Sequence, residues 1–272
     1  MKYLFLAIAT LFSSAMMAQA AFSTLYKTGD TPTELALGLS WEAFQQRHEE
    51  LSGQGFTLSD LETEQIEGER QFFGMWKKRG QAAQAVVELV PGWDSLVVRK
   101  RAMAKAAYVM QDIEAFTADE TEYYLVSWLP GDTPHKVRKL SSWQGLLNDH
   151  EELGLRSLHM IDLEGFEAPD GNTYYLALYH RRGPDAKTYL FRSPDPAAFD
   201  TDKIYRNKSR HFLFDFELFE KREMRFFFGL YQEALPGDTL LESWEEVGLR
   251  EQMAEQEKEG MELYDLDVRS LD

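Results

Sequence analysis

The sequence predicts an α+β repeat protein: a closed, propeller-like ring of five units, each with one helix and three antiparallel strands. The first observation is an acid–apolar–acid triplet that recurs at intervals of 52, 50, 53 and 50 residues, starting at Asp60, Asp112, Asp162, Asp215 and Asp265. The second is an aromatic-rich stretch after each of the first four triplets, and the third is a similar stretch near the N-terminus. A fixed period of this length is typical of repeat architectures.

A predicted helix opens each unit. In four units a tryptophan lies 19 or 21 residues before the first acid of the triplet: Trp41, Trp93, Trp143 and Trp244. The fourth unit has Pro196 at this position, with Phe199 as the nearest aromatic residue. Apolar residues then recur at helical spacing, as Phe44 and Leu51 do in WEAFQQRHEEL. We therefore expect each helix to follow directly on these positions.

Three strands follow each predicted helix. In FTLSDLE, strict alternation of side chains places both acids of the first triplet on the face that carries Leu58, and leaves Leu61 on the opposite face. A turn leads to the aromatic strand, FFGMW in the first unit, and a second turn leads to a third strand such as AVVEL.

The two ends of the chain share one unit in this prediction. The fifth unit reaches only its first strand, whereas residues 22–39 align with the aromatic and third strands of the other units and put Tyr26 in the place of Trp76. Pairing of the first and last segments would remove exposed sheet edges. We predict one domain, residues 21–272, with units at about 40–91, 92–141, 142–194, 195–242, and 243–272 plus 21–39.

Residues 1–20 have the pattern of a secretory signal peptide. Lys2 precedes an apolar run, and Ala18-Gln19-Ala20 is the small-x-small pattern that signal peptidases cleave. The run is too short to span a bilayer of about 30 Å. The chain has no cysteine, which excludes disulfides, thiol nucleophiles and cysteine-ligated zinc. We expect a periplasmic or secreted protein.

The net charge limits the partners. The whole chain carries 29 basic and 46 acidic residues, a net charge of −17, and removal of residues 1–20, which contain one lysine and no acid, makes it −18. Such a chain repels nucleic-acid phosphates and anionic membrane surfaces. We therefore expect neither nucleic-acid binding nor membrane insertion, and we expect a monomer that binds neutral or cationic ligands.

The tryptophan at the helix start, Gly55-Phe56 before the first strand and the aromatic strand ending in Trp76 resemble the bacterial tandem repeat domain, which also forms the lid region of fungal polyglycine hydrolases. The resemblance extends over essentially all of the chain after residue 20. It implies a propeller-like array that shapes a binding surface. It also implies that catalysis in the hydrolases belongs to a separate serine-hydrolase domain.

The acidic triplets have two interpretations. Each strand can leave the core at a rim, so that its carboxylates mark the point where it meets solvent. Alternatively, the ring brings five acid pairs to one opening, where their repulsion requires cations. Carboxylate oxygens suit calcium, and we predict no other cofactor. The candidate metal ligands are Asp60, Glu62, Asp112, Glu114, Asp162, Glu164, Asp215, Glu217, Asp265 and Asp267.

The aromatic strands also have two interpretations. Their terminal aromatic residues could bind a ligand by stacking on sugars or peptides, or they could form the core between units. The candidate ligand-binding residues are Trp76, Trp128, Tyr179, Tyr231 and Tyr26.

The sequence contains no complete catalytic constellation. We therefore predict an exported, non-catalytic recognition protein that presents a central or rim surface of the ring to an extracellular peptide, glycan or protein. The alternative is a hydrolase or an amidine-modifying enzyme that uses a carboxylate pair on the ring. A catalytic pair should stand in one unit with a raised pKa, whereas a structural pair should look alike in all five.

Overall fold

The computed structural model describes residues 20–78, 85–183, 186–221, 224–233 and 238–271. The predicted signal peptide lies outside these residues, except for Ala20. Within them, five helices and five three-stranded antiparallel sheets form repeated units. None of these helices combines the length and the apolar character needed to cross a membrane.

The helices begin where the sequence predicts. They are α1 (Trp41–Gly53), α2 (Trp93–Lys105), α3 (Trp143–Gly154), α4 (Pro196–Lys208) and α5 (Glu245–Lys258). Trp244 immediately precedes α5. The side chains of Ser40, Ser142 and Asp195 each accept a hydrogen bond from a backbone amide in the first turn of their helix. Such caps satisfy amide groups that have no partner inside the helix, and so fix its start.

The strands follow in chain order. They are β1 (Ala20–Thr28), β2 (Thr33–Leu39), β3 (Phe56–Ile66), β4 (Glu69–Lys78), β5 (Val86–Pro91), β6 (Tyr108–Ala118), β7 (Thr121–Pro130), β8 (His135–Leu140), β9 (Leu158–Glu167), β10 (Thr173–Arg181), β11 (Thr188–Ser193), β12 (His211–Lys221), β13 (Met224–Glu233), β14 (Thr239–Trp244) and β15 (Met261–Ser270).

Each sheet takes its outer strand from the stretch before its helix. The strand orders are β2-β4-β3, β5-β7-β6, β8-β10-β9, β11-β13-β12 and β14-β1-β15, with the aromatic strand in the centre. The predicted units are therefore shifted by one strand from the sheets. Strand β5, which the sequence places with β3 and β4, pairs with β7 instead. The pattern of a strand after a turn does not determine which neighbouring sheet it joins.

The N-terminal strands divide between two sheets. Strand β1 pairs with both β14 and β15, with Ala20 opposite Ser270 at one end and Thr28 opposite Met261 at the other. It completes the last sheet, as predicted. Strand β2 pairs with β4 in the first sheet, so its predicted place in the last unit is wrong.

A β-bulge interrupts the strand that follows each helix, which we call the inner strand (β3, β6, β9, β12 and β15). The bulged residues are Ser59, Gln111, Ile161, Phe214 and Tyr264. One extra residue reverses the alternation of side chains. Leu58 and Leu61 consequently pack in the same cluster as Trp76, and the acids on either side of Leu61 face the other way. The predicted common face of Leu58 and the acids is wrong.

The inner strands also make the contacts between units. Strand β3 contacts β6, β6 contacts β9, β9 contacts β12, β12 contacts β15, and β15 contacts β3. The five sheets stay separate in their backbone hydrogen bonding. The acidic triplets thus lie where neighbouring units meet.

Candidate functional site

The first acid of the triplet connects neighbouring units. In four cases its Oδ2 accepts a hydrogen bond from the backbone amide of the apolar residue in another triplet. These bonds are Leu61 N to Asp112 (2.9 Å), Ile113 N to Asp162 (2.9 Å), Phe216 N to Asp265 (2.9 Å) and Leu266 N to Asp60 (2.8 Å). Each inner strand is the edge strand of its sheet, so alternate amides have no partner in the ladder and need another acceptor. These four first acids therefore act as structural acceptors.

The second acid of each triplet faces a cavity, which we call the acidic pocket. The pocket has a volume of about 410 Å³. Each inner strand contributes four consecutive residues to its lining, and β4 adds Arg70. The second acids are buried and form the floor: Glu62, Glu114, Glu164, Glu217 and Asp267. Gln65, Glu167 and Glu220 are exposed and lie at the mouth.

This burial overturns the interpretation of the acids as a solvated rim. The strands continue past the acids into further buried residues, among them Phe116, Phe166 and Phe219. These rings line the walls of the pocket above the floor. The carboxylates therefore lie inside the protein.

Burial raises the pKa of all ten acids. It raises the pKa of Asp112, Asp265 and Asp267 to about 7. For the other seven the pKa is also well above its usual range, first because of burial and then because of neighbouring carboxylates: Asp60, Glu62, Glu114, Asp162, Glu164, Asp215 and Glu217. Loss of water and like-charge repulsion both disfavour the ionised form.

Three of the predicted metal ligands come close enough to share an ion. One carboxylate oxygen each from Glu62, Glu114 and Glu217 lies within 4.8 Å of the other two. Glu164 is within hydrogen-bonding reach of the carboxyl groups of Glu114 and Glu217. The other predicted ligands are not part of this group of three.

Two ammonium groups lie at the opposite end of the acidic triplets from the pocket. Lys27 Nζ is 3.5 Å from the centre of the Tyr264 ring, and Lys77 Nζ is 5.0 Å from it. Lys77 also forms an ion pair with Glu262 at 2.9 Å. Burial lowers the pKa of Lys27 to about 8, against the opposing effect of Asp265. This end is therefore filled by protein cations, while the pocket end is open.

The five aromatic residues predicted to bind a ligand lie in the core. Trp76, Trp128, Tyr179, Tyr231 and Tyr26 are each at most 1 % exposed, and none lines the acidic pocket. Trp76 packs on Phe44 of α1 and shares a cluster with Leu125 of the next sheet. The burial of the rings agrees with the alternative interpretation as core between units.

Sequence reasoning missed two arginines of the pocket. Arg70 Nη1 donates to the Thr63 carbonyl, and its guanidinium lies 4.4 Å from the Phe116 ring centre. Arg269 lines the pocket and pairs with Glu242 at 3.5 Å. An alignment of the five triplets would have shown Arg269 to be an exception, because the equivalent residue is phenylalanine in three other units.

One family model matches part of the chain. Residues 31–79 match the model described as "Polyglycine hydrolase-like, structural repeat". A polyglycine hydrolase-like repeat is present. The matched segment contains β2, α1, β3 and β4, which is one complete sheet with its helix. The search of curated proteins found no match.

Proposed function

We propose that the five polyglycine hydrolase-like units form a closed ring. Three contacts support this proposal. Strand β1 lies between β14 and β15, β15 contacts β3, and the Leu266 amide donates to Asp60. In a ring, the acidic pocket would lie on the common axis and every unit would contribute to it equally.

The proposed function is non-catalytic recognition of an extracellular peptide, glycan or protein through the acidic pocket. The observation that carries it is the lining, in which all five inner strands take part with four residues each. A cavity of about 410 Å³ is in the size range of small-ligand sites. The signal-peptide pattern of residues 1–20 supports a periplasmic or secreted location.

The chemistry of the pocket walls suits a polar chain with apolar faces. Phe116, Phe166 and Phe219 offer ring surfaces, and Arg70 and Arg269 offer hydrogen-bond donors above a floor of carboxyl groups. Aromatic rings combined with a few placed polar groups are a common arrangement in ligand sites. A segment of peptide or glycan has complementary features.

The pattern of pKa shifts favours binding over catalysis. The acids have a raised pKa in all five units, whereas an acid–base pair should be distinct in one. An amidine-modifying enzyme would in addition need a nucleophile such as cysteine, and the chain contains none. A hydrolase or amidine-modifying enzyme therefore stays the weaker alternative.

The test is a peptide and glycan array probed with the purified protein. Arg70→Ala and Phe116→Ala should abolish binding of the ligand found, and Arg156→Ala, an exposed arginine of the outer surface, should leave it unchanged. If all three variants bind the ligand equally well, the acidic pocket is not the binding site. If the protein hydrolyses members of the array, and one substitution in the pocket abolishes this activity, the function is catalysis and not recognition.

A further inference from the structure

The carboxyl groups at the floor of the acidic pocket lie near Arg70 and Arg269 but form no ion pair with either of them. No ion pair among the described residues involves any of the ten triplet acids. At the opposite end, Lys27 and Lys77 lower the pKa of Asp265 and so offset part of its charge. The floor acids Glu62, Glu114 and Glu217 lie farther along the strands, on the open side.

An acceptor at the floor has no donor. Asp267 is 3 % exposed and lines the pocket. Its Oδ1 accepts a hydrogen bond of 3.3 Å from the Leu218 amide, but no described donor lies within hydrogen-bond distance of its Oδ2. Ser23 lies opposite Asp267 in the sheet, and its hydroxyl has no hydrogen-bond partner among the described residues either. A buried oxygen without a donor is costly unless a cation or a water satisfies it.

The spacing of the floor oxygens suits a calcium ion. Calcium binds oxygen at about 2.3–2.6 Å, so oxygens on opposite sides of the ion are about 4.6–5.2 Å apart, and adjacent oxygens are closer. The oxygens of Glu62, Glu114 and Glu217 lie within 4.8 Å of one another. Calcium takes six to eight oxygens, and Glu164 and Asp267 lie on the same floor.

We propose that Glu62, Glu114 and Glu217 form a calcium site at the floor of the acidic pocket, which Asp267 with its free oxygen also lines. This inference rests on the pocket of the proposed function and adds an ion to it. The space above the floor leaves coordination positions to water or to oxygen atoms of the bound peptide or glycan. Ligand binding would then depend on calcium.

Isothermal titration of the purified, metal-free protein with calcium chloride tests the site without any organic ligand. We expect one ion per chain, with an affinity of about 0.1–1 mM as in other extracellular calcium modules, and weaker binding of magnesium. Glu114→Gln and Glu217→Gln should each weaken calcium binding at least about tenfold, since each removes a charged ligand. Glu151→Gln, on the exposed face of α3, should bind calcium as the wild type does.

Thermal melting separates loss of the site from loss of the fold. Millimolar calcium should raise the melting temperature of the wild type and of Glu151→Gln, and should raise that of Glu114→Gln much less. Without calcium, Glu114→Gln should melt no lower than the wild type, because it removes one buried like charge. Absence of both heat and melting shift in the wild type would overturn the calcium site, as would unchanged affinity in both glutamine variants.

The outcomes also distinguish this site from the proposed function. Calcium binding without any array ligand would retain the metal site and reject the recognition proposal. Array binding by a protein that shows no calcium binding would do the reverse, and array binding that persists in a chelator would reject the dependence of ligand binding on calcium.

Discussion

Asp60 and Leu266 connect the first inner strand to the last: Asp60 Oδ2 accepts a hydrogen bond of 2.8 Å from the Leu266 backbone amide, although 206 positions separate them. Asp60→Leu should lower the free energy of unfolding by about 1–3 kcal/mol, because it leaves a buried amide unpaired. Asp60→Asn keeps an acceptor oxygen and removes a charge that its neighbours disfavour, so its stability should equal or exceed that of the wild type.

Urea denaturation of both variants would measure this difference. Asp132→Leu, in an exposed turn, is the control and should change stability by less than about 0.5 kcal/mol. Equal destabilisation by the asparagine and leucine variants at position 60 would show that the ionised carboxylate, and not the acceptor, stabilises the contact.

Gly229 and Phe199 fit each other within the fourth unit. A Cβ atom on Gly229 would lie 2.9 Å from Phe199 Cζ and 2.9 Å from Leu213 Cδ1. Gly229→Ala should therefore cost about 1–3 kcal/mol through overpacking. The third unit has Ala177 and Leu146 at the equivalent positions, so Phe199→Leu should partly restore the stability of Gly229→Ala.

A double-mutant cycle measured by urea denaturation would test this fit. The cost of the double variant should be smaller than the sum of the two single costs by at least about 0.5 kcal/mol. Strict additivity would show that the clash with Leu213, and not the ring of Phe199, determines the penalty.

His180 should make the protein sensitive to mild acid. It is 7 % exposed, its Nε2 donates to the Met110 carbonyl at 2.6 Å, and burial lowers its pKa to about 4, with smaller effects of His135 and Arg182. The unfolded chain has a histidine pKa of about 6.5. Between these values only the unfolded state binds the proton, so this contribution to stability is present above about pH 6.5 and is lost as the pH falls towards 4.

His180→Gln removes this titration and retains a donor for Met110. Its melting temperature should fall less than that of the wild type between pH 6.5 and pH 4. His159, which lies opposite His180 in the sheet, and the buried acids titrate in both proteins. The difference between the two curves of melting temperature against pH therefore isolates His180. Parallel curves would contradict the prediction.

The sequence predicted the parts of the fold that depend on local periodicity. The period of the triplets and the starts of α1, α2 and α3 at Trp41, Trp93 and Trp143 are confirmed. The bulge at Ser59 was missed because strict alternation was assumed, which places Leu58 and Leu61 on opposite faces, whereas an extra residue between them brings both into the core. The sequence did not show which sheet the third strand of each unit joins, because this depends on packing between units.

The candidate site was predicted only in part. The repeated triplets identified the acids, but the different roles of Asp60 and Glu62 depend on which amide lies opposite each carboxylate. Repetition alone also cannot distinguish a buried ring from one that contacts a ligand, so Trp76 and its equivalents were ambiguous. Arg70 has no equivalent in a repeated pattern and gave no signal.

The shift between predicted units and sheets has a consequence for which single segment of the chain can form a whole sheet by itself. An excised segment that begins at a helix start would lack the outer strand of its own sheet and would carry the outer strand of the next sheet. A segment from an outer strand to the following aromatic strand, as in residues 31–79, carries a whole sheet with its own helix. An isolated unit that folds should therefore begin at an outer strand and end after the aromatic strand.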